Sequence, residues 1–325
     1  MHLPIDSIVK IYYVILAIIG IPVNLITILI LSRGKCGLSV CTTRYLVAMA
    51  AADLMVIITE VILRYINGYY FPIMLFLNIT PVCSIRAVLG HTATDCSVWF
   101  TVDFTFDRFV AICCQKLKTK YCTEKAVSAV LATTGALLCL KNIPFYFTLE
   151  PTEVINNVPW FCHTKQSYFT EPGWVGFDWF DTLLTPLPPF AFILLFNALT
   201  VRHILITSQV RKGLTGQNRR ENDSDPEMEN RRKSIILLFC VSSSFILLWL
   251  TYVIYLLFVI TGATLNYYRY SSYIFQQVGS MLQSLSCCTN TFIYGVTQSM
   301  FREQFKSAVK YPVTIIIKLF NKQIN

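Results

Sequence analysis

The sequence predicts an all-α protein, a seven-helix membrane bundle with a short amphipathic helix after the seventh span. Three observations predict it. Seven apolar stretches, Ile11–Leu31, Tyr45–Leu63, Ile85–Phe106, Ala126–Leu149, Trp174–Val201, Ile235–Ile260 and Tyr273–Val296, are long enough to cross a bilayer, because a helix needs about 20 residues to span roughly 30 Å of hydrocarbon. Of 325 residues, 54% are hydrophobic and only 14% charged, a balance that a soluble domain of this size does not carry. Lysine and arginine concentrate on alternate loops, around Arg33–Arg44, Lys116–Lys125, Arg211–Lys233 and Arg302–Lys322, while the opposite loops hold only Lys165 and Arg269, with Lys10 in the head. That asymmetry puts the amino end outside and the carboxyl end inside.

The head, residues 1–10, shows no basic cluster or cleavage site, so the first span is expected to act as its own insertion signal. The first span carries Asn24 and the second carries Asp53 at mid-membrane depth. Ser97, Ser286 and Asn290 lie at a comparable level in the third and seventh spans. An ionisable group there costs several kcal/mol unless it faces the bundle interior, water or a partner. These five groups either surround one carboxylate with water or a sodium ion, or form a purely interhelical polar clamp.

The third span carries Arg86, His91, Asp95 and Asp103 and ends in Asp107-Arg108-Phe109. It must run through the bundle centre, since no such helix can face lipid all round. His91 and Asp95, four apart, either satisfy each other or line a cavity in the outer half.

Of twelve cysteines, only Cys83 and Cys162 fall at oxidising, water-facing positions, which predicts one disulfide that pins the 150–173 loop across the outer mouth. The 207–233 loop is strongly polar and reads as disordered and cytoplasmic. Beyond the last span, Phe301, Phe305 and Val309 recur every four residues between Arg302, Lys306 and Lys310, an amphipathic pattern suited to inner headgroups. Residues 298–325 thus form that helix and a cytoplasmic tail. With the spans accounting for the charge of +9 as an orientation signal, no nucleic-acid footprint is left. No glycine-rich phosphate loop or paired metal-binding histidines point to an enzyme.

The asparagine after Gly20, the leucine-led run ending at Asp53, Cys83 with Cys162, Asp107-Arg108-Phe109, Trp249, Asn290-Thr291-Phe292-Ile293-Tyr294 and Phe301-Arg302 occur in order across the chain. Jointly they resemble the rhodopsin-like G-protein-coupled receptors. Ala50–Asp53, Phe106–Cys113 and Ile143–Tyr146 are most similar to the orphan G-protein-coupled receptor 139 group. The resemblance implies that residues 11–297 form a receptor domain in the plasma membrane, with a heterotrimeric G-protein as inner partner and a small molecule or peptide as outer ligand. It implies that Asp107, Arg108, Trp249 and Tyr294 rearrange on activation, and that Asp53, Ser97, Ser286 and Asn290 hold sodium and water; no other cofactor is expected.

Two departures matter. The family's prolines in the sixth and seventh spans are Thr251 and Thr291 here, so both helices should be straighter. No acid stands at the start of the sixth span to face Arg108, so any resting lock should rest on Asp107 alone.

Helical counting turns Arg86, Gly90, His91, Thr94 and Asp95 toward an outer cavity. The resemblance adds Arg64, Asp178, Asp181, Tyr252, Leu256, Gln276, Ser280 and Ser284. Gly90 stands where receptors for amines carry an aspartate, which disfavours a monoamine. Charges of both signs suggest a zwitterion, an aromatic amino acid or the terminus of a short peptide. The alternatives are that the charges neutralise one another, that the chain is a membrane transporter or ion pathway, or that it is a receptor-shaped scaffold that does not signal.

Overall fold

The computed structural model describes residues 4–34, 36–70, 75–214, 226–260 and 269–310. Among them, seven long helical units alternate in direction. The first helix is Pro4–Ser32, so residues 4–10 of the predicted head already belong to it. The second, Val40–Val56, starts on Ser39, whose hydroxyl accepts the Thr42 N–H at 3.2 Å, and passes into a π-helical turn series, Ile57–Ile66. The third, Thr80–Cys113, opens with a proline in its first turn, where the missing N–H costs nothing. The fourth, Glu124–Asn142, is capped by Thr123 and tightens into a 3₁₀ segment, Ile143–Phe147. The fifth is interrupted between Pro172–Leu184 and Leu187–Leu214, next to Pro186.

The sixth, Pro226–Ile260, and the seventh, Arg269–Thr297, run unbroken through Thr251 and Thr291. Thr291 does more than restore an N–H. Its hydroxyl shares a 2.8 Å hydrogen bond with Thr27 and donates to the Val23 carbonyl at 3.4 Å, which ties the seventh helix to the first where a proline ring could not.

By length all seven qualify as spans, but only five of the described helices are also apolar enough; the third and seventh are not. The reason is positional. The third packs against the second, fourth, fifth and sixth helices, so its charges face protein. The seventh lies against the first, second and sixth and turns its serines, amides and threonines the same way.

The polar 207–233 stretch is corrected in part. Residues 207–214 and 226–233 continue the fifth and sixth helices instead of being disordered; residues 215–225 lie outside the described residues, as does the tail from 311. Residues 299–310 form the expected amphipathic helix, with Phe301 fully buried and edge-on to Tyr294, ring centroids 5.8 Å apart.

Close approach of the first, second and seventh helices depends on Gly20. A Cβ there would lie 2.4 Å from the Ile57 side chain and 2.8 Å from Cys288 Sγ. Gly20→Val should therefore destabilise the bundle by about 1–3 kcal/mol, the usual cost of overpacking. Thermal unfolding of the detergent-solubilised protein checks this, and an unchanged midpoint would refute it.

Candidate functional site

The bundle opens outward into a cavity of about 610 Å³ walled by the second to seventh helices and the loop between the fourth and fifth. That loop is held in place as predicted: Cys83 and Cys162 form a disulfide. Its strands pair locally, β1 (Leu149–Glu150) with β4 (His163–Thr164) and β2 (Glu153–Ile155) with β3 (Val158–Trp160). Thr80 anchors it to the third helix, donating to the Phe161 carbonyl at 2.9 Å. Cys162, His163 and Thr164 thereby hang over the cavity as its roof.

Eleven of the thirteen predicted cavity residues line this space: Arg64, Arg86, His91, Thr94, Asp95, Asp178, Asp181, Tyr252, Gln276, Ser280 and Ser284. Gly90 and Leu256 do not. Gly90 is covered because the Glu60 carboxylate lies on it; a Cβ at position 90 would come within 1.9 Å of Glu60 Oε1. A carboxylate from the second helix thus lies over position 90, where the third helix itself carries none. Leu256 is buried against protein.

Asp95 is only 2% exposed and does not pair with His91. Its partner is Lys141, at 2.6 Å, which also pairs with Asp181. Asp95 accepts from Asn142 Nδ2 at 2.7 Å and from the Thr185 hydroxyl at 2.6 Å, so helices three, four and five meet on one carboxylate. His91 instead stacks on Phe145, centroids 3.7 Å apart, with Nδ1 3.9 Å from Asp181. Asp95 and Asp181 are thus neutralised, though by Lys141 and not by the cavity arginines weighed from sequence.

Arg86 donates to the Leu63 carbonyl at 2.8 Å and has no carboxylate within ion-pair distance among the described residues. Asp178 accepts the Tyr168 hydroxyl at 2.6 Å. Burial together with that bond to Asp178 raises the Tyr168 phenol well above its ordinary range, so it stays a donor.

Trp249 forms the floor, stacked on Phe245 with centroids 5.3 Å apart and donating to Ser286 at 3.3 Å. Beneath it Asp53 accepts from Ser97 at 2.5 Å and from Asn290 at 2.9 Å. Two of the predicted ring do not reach Asp53. Asn24 donates to the carbonyls of Gly20 and Cys287, at 3.0 and 2.8 Å, and Ser286 donates to Gln283 O at 2.6 Å. A small void next to Ser97 and Asn290 is lined by Ser97, Thr101, Val241, Ser244, Phe245, Ser286, Thr289 and Asn290; Asp53 itself does not line it.

At the inner end Arg108 pairs with Asp107, its Nε at 3.0 Å, and both are buried. Its Nη1 also donates to the Ser234 hydroxyl at 3.2 Å, so the resting contact is not Asp107 alone. A neutral serine on the sixth helix supplies the bond that an acid would otherwise make. Tyr294 is buried close by in the same inner core as Leu237 and Phe301.

The model of the seven-transmembrane receptor (rhodopsin family) matches residues 23–294. The chain belongs to that family. The receptor is also similar to the mouse protein described as probable G-protein coupled receptor 142, with 31% identity over 43% of this chain and 36% of the mouse protein. It is 24% identical to neuropeptide receptor 22 of Caenorhabditis elegans over 90% of this chain and 67% of the worm protein. The chain thus spans little more than a third of the mouse relative's length.

The receptor's sequence hides two members of its own site. Lys141 and Glu60 each interrupt an apolar run, and an ionisable residue within a span is itself the signal that would have found them. Ser234 gives no such signal.

Proposed function

We propose that this receptor sits in the plasma membrane with its amino end outside and its carboxyl end inside, binds a small zwitterion in the outer cavity, and activates a heterotrimeric G-protein at the inner face. The observation that carries this reading is the placement in one bundle of a roofed, charged cavity floored by Trp249, of Asp53 bonded to Ser97 and Asn290, and of the buried Asp107–Arg108 pair tied to the sixth helix by Ser234. A molecule that shifts Trp249 changes the packing between the sixth and seventh helices, and Ser234 on the sixth helix holds Arg108. Opening of that helix would release Arg108 toward a partner.

Arg86 supports a ligand carboxylate, since its guanidinium enters the cavity without an acid of its own. The acidic wall supports an ammonium. An aromatic amino acid or a peptide terminus carries both, and about 610 Å³ accommodates either. The worm relative's description as a neuropeptide receptor agrees with the peptide form. Asp53 with Ser97 and Asn290 would hold sodium or water in the resting state.

Cells expressing the receptor should give a calcium or cyclic-nucleotide response to aromatic amino acids or short peptides. Arg86→Ala should lower potency by at least about 30-fold, the cost of stranding a ligand carboxylate in the cavity. Unaltered potency would remove the zwitterion, and substrate flux in liposomes without any G-protein response would replace signalling with transport.

A further inference from the structure

The second helix places Glu60 and Arg64 four residues apart inside the same cavity, joined at 2.7 Å through Oε2. The two are unequally held. The Glu60 side chain is 19% exposed and the Arg64 side chain 57%. Glu60 Oε1 accepts no hydrogen bond from any described residue and lies against Gly90, in space that any other residue's Cβ would fill. The carboxylate is thus seated by the missing side chain of the third helix, while its cation reaches in from a mostly solvated position and rests beside the Tyr65 ring, 5.6 Å from its centroid.

Every other acid in the cavity is already engaged. Asp95 and Asp181 share Lys141, and Asp178 takes the Tyr168 hydroxyl. Arg64 is mostly in solvent while Lys141 is buried between two carboxylates, so an arriving cation can displace Arg64 more readily than Lys141.

We propose that Glu60 is the seat for the ligand's ammonium, that Gly90 makes the room for it, and that Arg64 is an internal cation occupying the seat until the ligand displaces it. This rests on the outer cavity being the ligand site. The ligand class it selects is a primary amine. Arg86 of the third helix, which bonds the Leu63 carbonyl of the second, lines the same cavity as Glu60 and can take a carboxylate borne by the same molecule.

The test uses the full-length receptor in detergent with three probes: tryptamine, indole-3-propionate, and L-tryptophan, read by ligand-induced shifts in thermal unfolding. Tryptamine should bind the wild type, should bind Arg64→Ala about 5-fold more tightly as the competing cation is lost, and should bind Glu60→Gln at least about 30-fold more weakly. Indole-3-propionate should be indifferent to Glu60→Gln. Gly90→Ala should still fold, because the Glu60 side chain can swing away, yet should weaken tryptamine. The proposal is overturned if tryptamine binds Glu60→Gln as well as it binds the wild type, or if it binds neither the wild type nor Arg64→Ala. Binding with the expected pattern but no G-protein response in cells would sink the signalling reading and leave this one standing. A cellular response to tryptamine or L-tryptophan that ignores Glu60→Gln would do the reverse.

Discussion

Replacing Lys141 with methionine is expected to lower stability by about 3–5 kcal/mol, because it strands the buried Asp95 and the largely buried Asp181 without a cation. In thermal unfolding of the solubilised protein this is a drop on the order of 10 °C. The control distinguishes charge from packing. Methionine keeps most of the side-chain volume, so adding Asp95→Asn to Lys141→Met should recover much of the loss by removing one of the two unpaired charges. Asp95→Asn alone should cost less than Lys141→Met, since Lys141 then still has Asp181. If Lys141→Met unfolds at the wild-type temperature, the three-helix junction at Asp95 contributes nothing and the outer half of the bundle is held by apolar contacts alone. The same substitution should also disturb ligand response, because His91 and Asp181 face the cavity.

Removal of the Cys83–Cys162 disulfide is the second large effect. The bond closes 79 residues of chain, and chain-entropy arguments for such a loop give about 4 kcal/mol. Cys83→Ser should therefore reduce cell-surface amount and free the β1–β4 roof from the third helix. The consequence for binding is separable from that for folding. Thr80 still bonds Phe161, so receptor that does reach the surface should retain the bundle and lose ligand affinity through a mobile roof. Surface labelling together with ligand potency measures both, and full potency at normal surface levels would show that the roof needs no covalent pin. The double variant Cys83→Ser with Cys162→Ser should behave as the single one does, which excludes a reactive lone thiol as the cause.

Much of this was legible in the chain. Apolar runs of membrane length and the placement of lysines set the seven helices, since no other local structure satisfies backbone groups in hydrocarbon. The disulfide followed from where only two cysteines could meet oxidising water. Asp53 with Ser97 and Asn290, and Arg108 with Asp107, were found at matching depth or adjacent in sequence. Asn24 and Ser286 also match in depth, yet depth does not fix azimuth, and their side chains turn to carbonyls instead.

What the sequence determined by itself was the set of helices, their order across the bilayer and the residue types able to carry charge within it, because burial in lipid is decided one segment at a time. Only the tertiary structure decided who pairs with whom. Lys141 rather than His91 takes Asp95, Glu60 fills the space over Gly90, and Ser234 of the sixth helix joins Asp107 on Arg108. Each of these pairings joins residues on different helices, and their partnership depends on helix rotation and separation, which are set by how whole helix faces pack.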